Sequence, residues 1–296
     1  MSRIRLALQK SGRLSEDSFE LLKQSGIKIR RYNGQLFCHS ENFPIDILLV
    51  RDDDIPNLVI ENVCDFGIVG LNVLQEKSLS LQSKSVEELV TPIQELKFGW
   101  CRLSLAVPNN FDYTDLSSLS GKSIASSYPF ILKEYLKKNN VDAKIIELSG
   151  SIEIAPRLGI ADVICDLVST GGTLAANHLR EVSTIFESQA VLIKSRKVLT
   201  AEQQKAADLL AKRIQGVLQA NESKYIMLHA PIDKVKDIVE LLPGAEYPTL
   251  INLGEGNNKI GVHAVCHERI FWETLEALKT IGASSILVVP VEKIMS

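Results

Sequence analysis

The stretch Ala161-Asp162-Val163-Ile164-Cys165-Asp166-Leu167-Val168-Ser169-Thr170-Gly171-Gly172-Thr173 decides how this chain is read. Its first half, Ala161–Leu167, is an apolar run of strand length, the kind that lies in a sheet covered on both faces. Its second half is a turn of hydroxyl residues and glycines that runs into a helix ending near His178. A buried strand feeding a helix through a tight polar turn is part of a βαβ unit. The turn also carries chemistry. Two glycines and three hydroxyl residues at a helix start leave main-chain N–H groups unpaired, a ready cradle for an anion. The turn holds no Lys or Arg, so it suits a phosphate monoester gripped by main-chain dipoles, with Asp166 placed to accept hydrogen bonds from a sugar diol. It is neither G-x-x-x-x-G-K nor G-x-G-x-x-G, which weakens the nucleoside-triphosphate P-loop and dinucleotide readings. Taken alone, the same residues also read as a plain tight turn with Asp166 capping the helix. The sequence leaves both open.

Upstream, the same cycle repeats. Leu103, Leu105 and Val107 alternate up to Pro108, and Ser123–Ser126 is a strand that turns through Ser127-Tyr128-Pro129 into a helix, Phe130–Lys138. Lys144–Leu148 is the next strand, and Ser149–Glu153 opens a short helix. An earlier series has the same form. Ile4, Leu6 and Leu8 share one face of a strand, Gln9–Arg13 is a polar loop, and Ser15 is the expected cap of a helix carrying Phe19 and Leu22 and closed by Gly26. Ile45–Val50 is a strand, Arg51-Asp52-Asp53-Asp54 its loop, Pro56 a first-turn residue, and Asp65–Gly70 a further buried strand.

Downstream, Val182–Lys194 is extended and can return the chain to the first series. Ala201–Ala220 is an amphipathic helix with Ala206, Leu209, Leu210, Ile214, Val217 and Leu218 on one stripe. Beyond it come strand Tyr225–His229, helix Ile232–Leu242, strands Thr249–Leu253 and Ile260–Val265, helix Arg269–Ile281 and strand Ser285–Val289. That βαββαβ order is the ferredoxin-like unit. The expected fold class is α/β: two lobes facing one another, residues 1–95 with 182–220 and residues 96–181, and a third module over residues 221–296.

Composition narrows the field. The 296 residues are 45% hydrophobic and 23% charged, enough to build real cores. Thirty-three basic residues against 36 acidic leave a net charge of −3, which argues against a nucleic-acid binder. No apolar run has the length of a membrane span, and the N-terminus lacks the apolar core of a signal peptide. The five cysteines are scattered and odd in number, as expected of reduced thiols in the cytoplasm.

Other chemistry-bearing residues are fewer. Lys10 and Arg13 flank Gly12 just ahead of a helix, so fixed charge and helix dipole act together on an anion, and Arg51 and the pair Arg30-Arg31 can add charge to the same cleft. A solvated basic loop is the blander account of that turn. Asp52–Asp54 read as N-terminal helix residues rather than metal ligands. His263 and His267, four apart around Cys266, fall in an apparent strand without a second ligand pair. No G-x-S-x-G or H-E-x-x-H occurs, so covalent catalysis is unsupported.

The run Ile164–Leu174, with Ala176-Asn177 and Leu179-Arg180-Glu181-Val182 after it, resembles the phosphoribosyl-pyrophosphate signature of the ATP phosphoribosyltransferase family, which opens histidine biosynthesis. The resemblance extends along the chain through Leu8–Leu14, Arg51–Pro56, Asp65–Gly70, Cys101–Ala106, Ser127–Pro129 and Glu153–Arg157. It continues through Ser223–Leu228, Leu241–Glu246 and Gly282–Leu287. The C-terminal unit implies the long form, which carries its own regulatory domain.

The resemblance implies two lobes arranged as in a periplasmic binding protein, a cleft active site, Mg²⁺, a dimer in equilibrium with a hexamer, and feedback inhibition by histidine. It assigns Ser169, Thr170, Gly171, Gly172 and Thr173 to the ribose phosphate and Asp166 to the ribose hydroxyls. Glu153 is assigned to orienting the sugar or metal, and Lys10, Arg13 and Arg51 to neutralising pyrophosphate or triphosphate. Gly12, Asp65 and Tyr128 join Lys10 and Arg13 on the ATP side, and His229, Ala245, Thr249 and Ser284 are the expected histidine contacts. Leu71, Trp100 and Phe130 depart from the family pattern. The rival readings are a non-catalytic two-lobe binder or amino-acid sensor, a regulator's effector domain lacking its helix-turn-helix, and a scaffold with no use for the cradle.

Overall fold

The computed structural model describes residues 3–30, 32, 34–82, 85–242, 244, 248–254, 258–267 and 272–294. The chain divides into two compact units, Met1–Glu20 with Ile27–Ala207, and Leu21–Gly26 with Asp208–Ser296.

The first unit is built on two sheets. Strands β1 (Ile4–Gln9), β2 (Phe37–His39), β3 (Ile45–Val50), β4 (Phe66–Gly70) and β5 (Thr91–Glu95) belong to the first. Its order is β2-β3-β1-β4, then β11 (Ala190–Lys194), then β5, with β1 parallel to β3 and β4. Helices α1 (Arg13–Gln24), α2 (Ile55–Ile60) and α3 (Leu71–Ser80) supply its crossovers. Gly67 lets α2 close on β4, since a Cβ there would meet an Ile55 methyl at 2.7 Å.

The second sheet runs β10-β6-β9-β7-β8, from β6 (Cys101–Pro108), β7 (Ser123–Ser126), β8 (Lys144–Glu147), β9 (Val163–Val168) and β10 (Leu179–Ser188). Here β7, β8 and β9 are parallel, with α4 (Pro129–Lys138) following β7 and α5 (Gly172–Ala176) following β9. Leu105, Ile124, Leu132 and Val163 are fully buried in its core, each contributing about 1.5–3 kcal/mol of transfer free energy.

Two boundaries differ from the expectations. The helix expected behind a Ser15 cap begins at Arg13, because Gly12 turns the chain at φ +92°; Ser15 lies buried within α1. The return to the first sheet falls at Gln189 rather than residue 182, because β10 pairs with β6 from Leu179 to Ser188. The second compact unit takes in Asp208 onward together with the expected module.

Helix α6 (Ala201–Asn221) leads into that second unit. Of its expected stripe, Leu209 is exposed, and Ala207 is buried alongside Leu210, Ile214 and Val217. The order is then β12 (Ser223–Pro231), α7 (Val235–Glu240), β13 (Thr249–Asn252), β14 (Lys259–His267), α8 (Trp272–Thr280) and β15 (Ser284–Pro290). The sheet runs β13-β14-β12-β15, antiparallel throughout. This is the βαββαβ module read from the sequence, and α7 and α8 cover the face that carries Ile226, Leu228 and Ala230.

Candidate active site

Open α/β sheets bind ligands beyond the carboxyl ends of their strands. In the first sheet β1 and β3 run in register to Gln9 and Val50, and the Lys10 amide donates to the Val50 carbonyl at 2.8 Å. Lys10 and Arg51 therefore leave the sheet side by side, both exposed. Asp52–Asp54 form a 3-10 turn ahead of α2. Burial, reinforced by Asp52 and Asp54, pushes the Asp53 carboxyl up against the opposing pull of Arg51.

The corresponding ends of the second sheet face this edge. A cleft of about 440 Å³ is lined by Asp52, Asp53, Glu76 and Lys77 on one side and by Tyr128, Phe130, Glu147 and Asp166 on the other. Asn72 of α3 donates to the Tyr128 hydroxyl at 2.8 Å and accepts from the Ser188 hydroxyl at 2.7 Å. Burial, then the charges of Asp52 and Asp53, push the Tyr128 phenol up, so it stays protonated. The Glu76 carboxylate accepts the amides of Phe130 and Ile131, each at 2.8 Å, at the start of α4.

The decisive turn follows Asp166 at the end of β9: Asp166 lines the cleft, and Ser169–Thr173 are not among the residues that line it. Asp166 is half-buried and accepts the Leu167 amide at 2.8 Å; burial, and then the Glu153 charge, raise its carboxyl. Ser169, Thr170, Gly172 and Thr173 are exposed, and Gly171 adopts φ +80°, which an L side chain tolerates poorly. Among the described residues, no amide from Ser169 to Thr173 has a protein acceptor. The turn thus offers unpaired donors beside a carboxylate on the wall of the cleft.

Other expected site residues fall elsewhere. Asp65 sits at the opposite end of β4, buried, accepting the Arg5 amide at 2.9 Å with Lys197 at 3.7 Å. It supports the sheet and lies away from the cleft, which corrects its place among the ATP contacts. Glu153 lines a second hollow with Arg157, Asp162 and His178, although its charge reaches Asp166. Leu71 lines neither, Trp100 is exposed, and Phe130 alone of the three departures lines the cleft.

In the second unit His229 and Ser284 stand opposite each other on β12 and β15, and Lys259 donates to the Ser284 hydroxyl at 2.8 Å. Thr249 shares their sheet face but pairs with His263, across β14 from Met227. Ala245 and Arg31 lie outside the described residues. His263 accepts or donates through Nδ1 to the Tyr225 hydroxyl at 2.7 Å and is spoken for. Asn72, Glu76, Arg102 and Glu181 took no role from sequence reasoning; the last two lay in matched motifs, and the others carried no motif signal.

The ATP phosphoribosyltransferase family model matches residues 51–216. The chain belongs to that family. The model of the family's C-terminal domain matches residues 220–293, which makes this ATP phosphoribosyltransferase the long form. Its structure is similar to a chain of the ATP phosphoribosyl transferase (HisG:HisZ) complex from Thermotoga maritima, at 26% identity and TM-score 0.58. That match covers 72% of this chain and 98% of the other. Weaker similarities include the alkanesulfonate-binding protein SsuA from Xanthomonas axonopodis pv. citri, at 16% identity and TM-score 0.46 over 74% and 75% of the two chains. Another is the arginine-bound ArgBP from T. maritima, at 11% identity and TM-score 0.45 over 72% and 95%. The chain is an enzyme of histidine biosynthesis, and no helix among its described residues is long and apolar enough to cross a membrane.

Proposed function

We propose that the cleft between the two sheets joins N1 of the adenine of ATP to C1 of phosphoribosyl pyrophosphate. The N1–C1 bond forms as the C1–oxygen bond breaks, and pyrophosphate leaves with that electron pair. N1 carries no proton, so the attack needs no general base. The demand falls on alignment and charge. In this reading the turn Ser169–Thr173 holds the ribose phosphate and Asp166 the ribose hydroxyls, while Glu153 orients the sugar from the adjoining turn. Lys10, Arg13 and Arg51 neutralise the departing pyrophosphate or the triphosphate, with Gly12 shaping their turn. Tyr128 offers its ring to the adenine. The observation that carries the reading is the exposed turn of unpaired amides that follows Asp166, a carboxylate of the cleft wall.

The cleft is acidic: Asp52, Asp53, Glu76, Glu147 and Asp166 line it together with Lys77. Such a lining fits substrates whose phosphates arrive with Mg²⁺; among the described residues no three carboxylate, His or Cys groups stand close enough to hold an ion by themselves, so the ion would be held mainly by the substrate phosphates. When bound, Mg²⁺ supplies charge stabilisation to the leaving pyrophosphate. Asp166 and the turn fix the sugar against it.

The same reading carries a cytoplasmic enzyme that assembles with copies of itself as dimers and a hexamer, and a histidine site at His229, Ala245, Thr249 and Ser284. Inhibition then requires histidine to favour one assembly over another. The test is to mix the protein with ATP, phosphoribosyl pyrophosphate and Mg²⁺ and follow product absorbance. Turnover that histidine suppresses, and that His229→Ala frees from histidine, bears the reading out. A silent mixture overturns the assignment of the cleft, and turnover indifferent to histidine overturns the regulatory half.

A further inference from the structure

We infer that Arg102 is a positioning residue of the phosphoribosyl turn: clamped by Glu181, it holds the Ser169 carbonyl and thereby sets the direction of the amide that follows. The inference deepens the proposed function and rests on the turn holding the ribose phosphate. Strand β6 lies between β9 and β10, so Arg102 stands beside the end of β9, in register with Val168. Its Nε and Nη2 each donate to a separate Glu181 oxygen at 2.6 Å, and its Nη1 donates to the Ser169 carbonyl at 3.2 Å.

Two parallel bonds fix the plane of a guanidinium, and the directions of its Nη1 hydrogens are then set. Glu181 is itself held: the Arg102 hydrogen bond draws its carboxyl below the usual range against the opposition of burial, with Ser104 and Thr184 assisting.

The consequence follows from the planarity of the peptide unit. The Ser169 carbonyl and the Thr170 N–H belong to one trans peptide and point in opposite directions. Holding the oxygen toward Arg102 aims the Thr170 N–H the opposite way, and the guanidinium charge polarises that amide into a stronger donor. A cradle without cations has only the aim of its dipoles to work with. The ion pair is also neutral as a unit, so it orders the turn while adding no net charge. Two motifs far apart in sequence, Cys101-Arg102-Leu103 and Leu179-Arg180-Glu181-Val182, thereby acquire one shared task.

Initial rates with each substrate varied, for wild type, Arg102→Met, Arg102→Lys, Glu181→Gln and Thr170→Val, test this together with equilibrium binding of ribose 5-phosphate. The expected result is a rise of roughly tenfold in KM for phosphoribosyl pyrophosphate in Arg102→Met and Glu181→Gln, with KM for ATP held within about twofold. Ribose 5-phosphate binding weakens in parallel, and Arg102→Lys restores only part of it because an ammonium cannot make all three bonds. Thermal melts identify the folded variants, and if Arg102→Met does not fold, Glu181→Gln carries the same expectation. Unchanged KM in the folded variants, or a loss confined to kcat and melting temperature, overturns the inference while Thr170→Val still raises KM. If Thr170→Val itself leaves KM and ribose 5-phosphate binding unmoved, the phosphate assignment of the turn fails, and the inference fails with it.

Discussion

The turn after β1 and the turn after β9 occupy equivalent places, each at the carboxyl end of a parallel strand just ahead of a helix, and they are built in opposite ways. Residues 9–13 bring Lys10 and Arg13, with Arg51 alongside. Residues 166–173 bring no cation at all, only main-chain amides, hydroxyls and a carboxylate. Long exposed cations tolerate displacement because their attraction falls off slowly. Main-chain donors lose their value once misdirected, so the second turn depends on its bracing more than the first. On the proposed reading, the difference separates a site that depends on exact shape from one where charge alone suffices.

The largest effect belongs to the shape-dependent turn. Asp166→Asn is expected to lower kcat by about two to three orders of magnitude, as removal of a preorganised transition-state contact does. Its carboxyl is raised by burial and by Glu153, so the substitution removes a half-buried, disfavoured charge and leaves the unliganded fold as stable or more so at neutral pH. Rates and thermal melts together check this. A variant with near wild-type kcat would remove the contrast between the turns.

Gly171→Ala comes next. With φ at +80° a side chain costs about 1–2 kcal/mol, although nothing stands within 4 Å of the added methyl. The turn should relax to another backbone shape and raise KM for phosphoribosyl pyrophosphate roughly tenfold, while KM for ATP stays put. The paired substitution Lys10→Met with Arg51→Met tests the other turn. It should weaken substrate binding only several-fold and flatten the dependence of kcat/KM on salt, since exposed charges act through a screened field. Equal salt dependence in wild type and variant would show that these cations take no part.

How much of this was legible varies with the physics involved. Strands such as Ile4–Gln9 and Ile45–Val50 announce themselves through period-two or continuous apolar runs, and the turn at Ser169–Thr173 through its glycines and hydroxyls. The αL turn at Gly12 displaced the helix start from Ser15, because a cap is chosen by where the chain turns as well as by residue type. Residues 182–188 read correctly as extended, but alternation cannot say which sheet an extended segment joins; β6 claimed them. Asp65 looked functional by its company in a motif, whereas its burial under Arg5 and Lys197 is a tertiary fact. Glu76 was invisible because its partners are main-chain amides at Phe130 and Ile131, and amides leave no mark in a sequence.

Glu76 also gives the smallest expected effect, and it asks whether the two sheet edges are held together by a titrating group. Burial raises its carboxyl, the amides of Phe130 and Ile131 pull the other way, and the Glu147 charge adds to the rise. A carboxyl that binds its proton more tightly in the folded state lends stability below the ordinary glutamate range and loses it as pH climbs through the raised value. Wild type should therefore lose stability, relative to Glu76→Gln, just above the ordinary glutamate range, and run parallel to it at higher and lower pH. The glutamine keeps one acceptor for the two amides, so at a fixed pH the net difference stays near the 0.5–2 kcal/mol typical of a helix cap, or about 1 kcal/mol. Melting curves of both proteins across that pH range decide the matter. A difference that grows in wild type's favour as pH rises would mean that Glu76 binds those amides chiefly as a well-solvated anion, and that the edge of α3 is open to water rather than closed against α4.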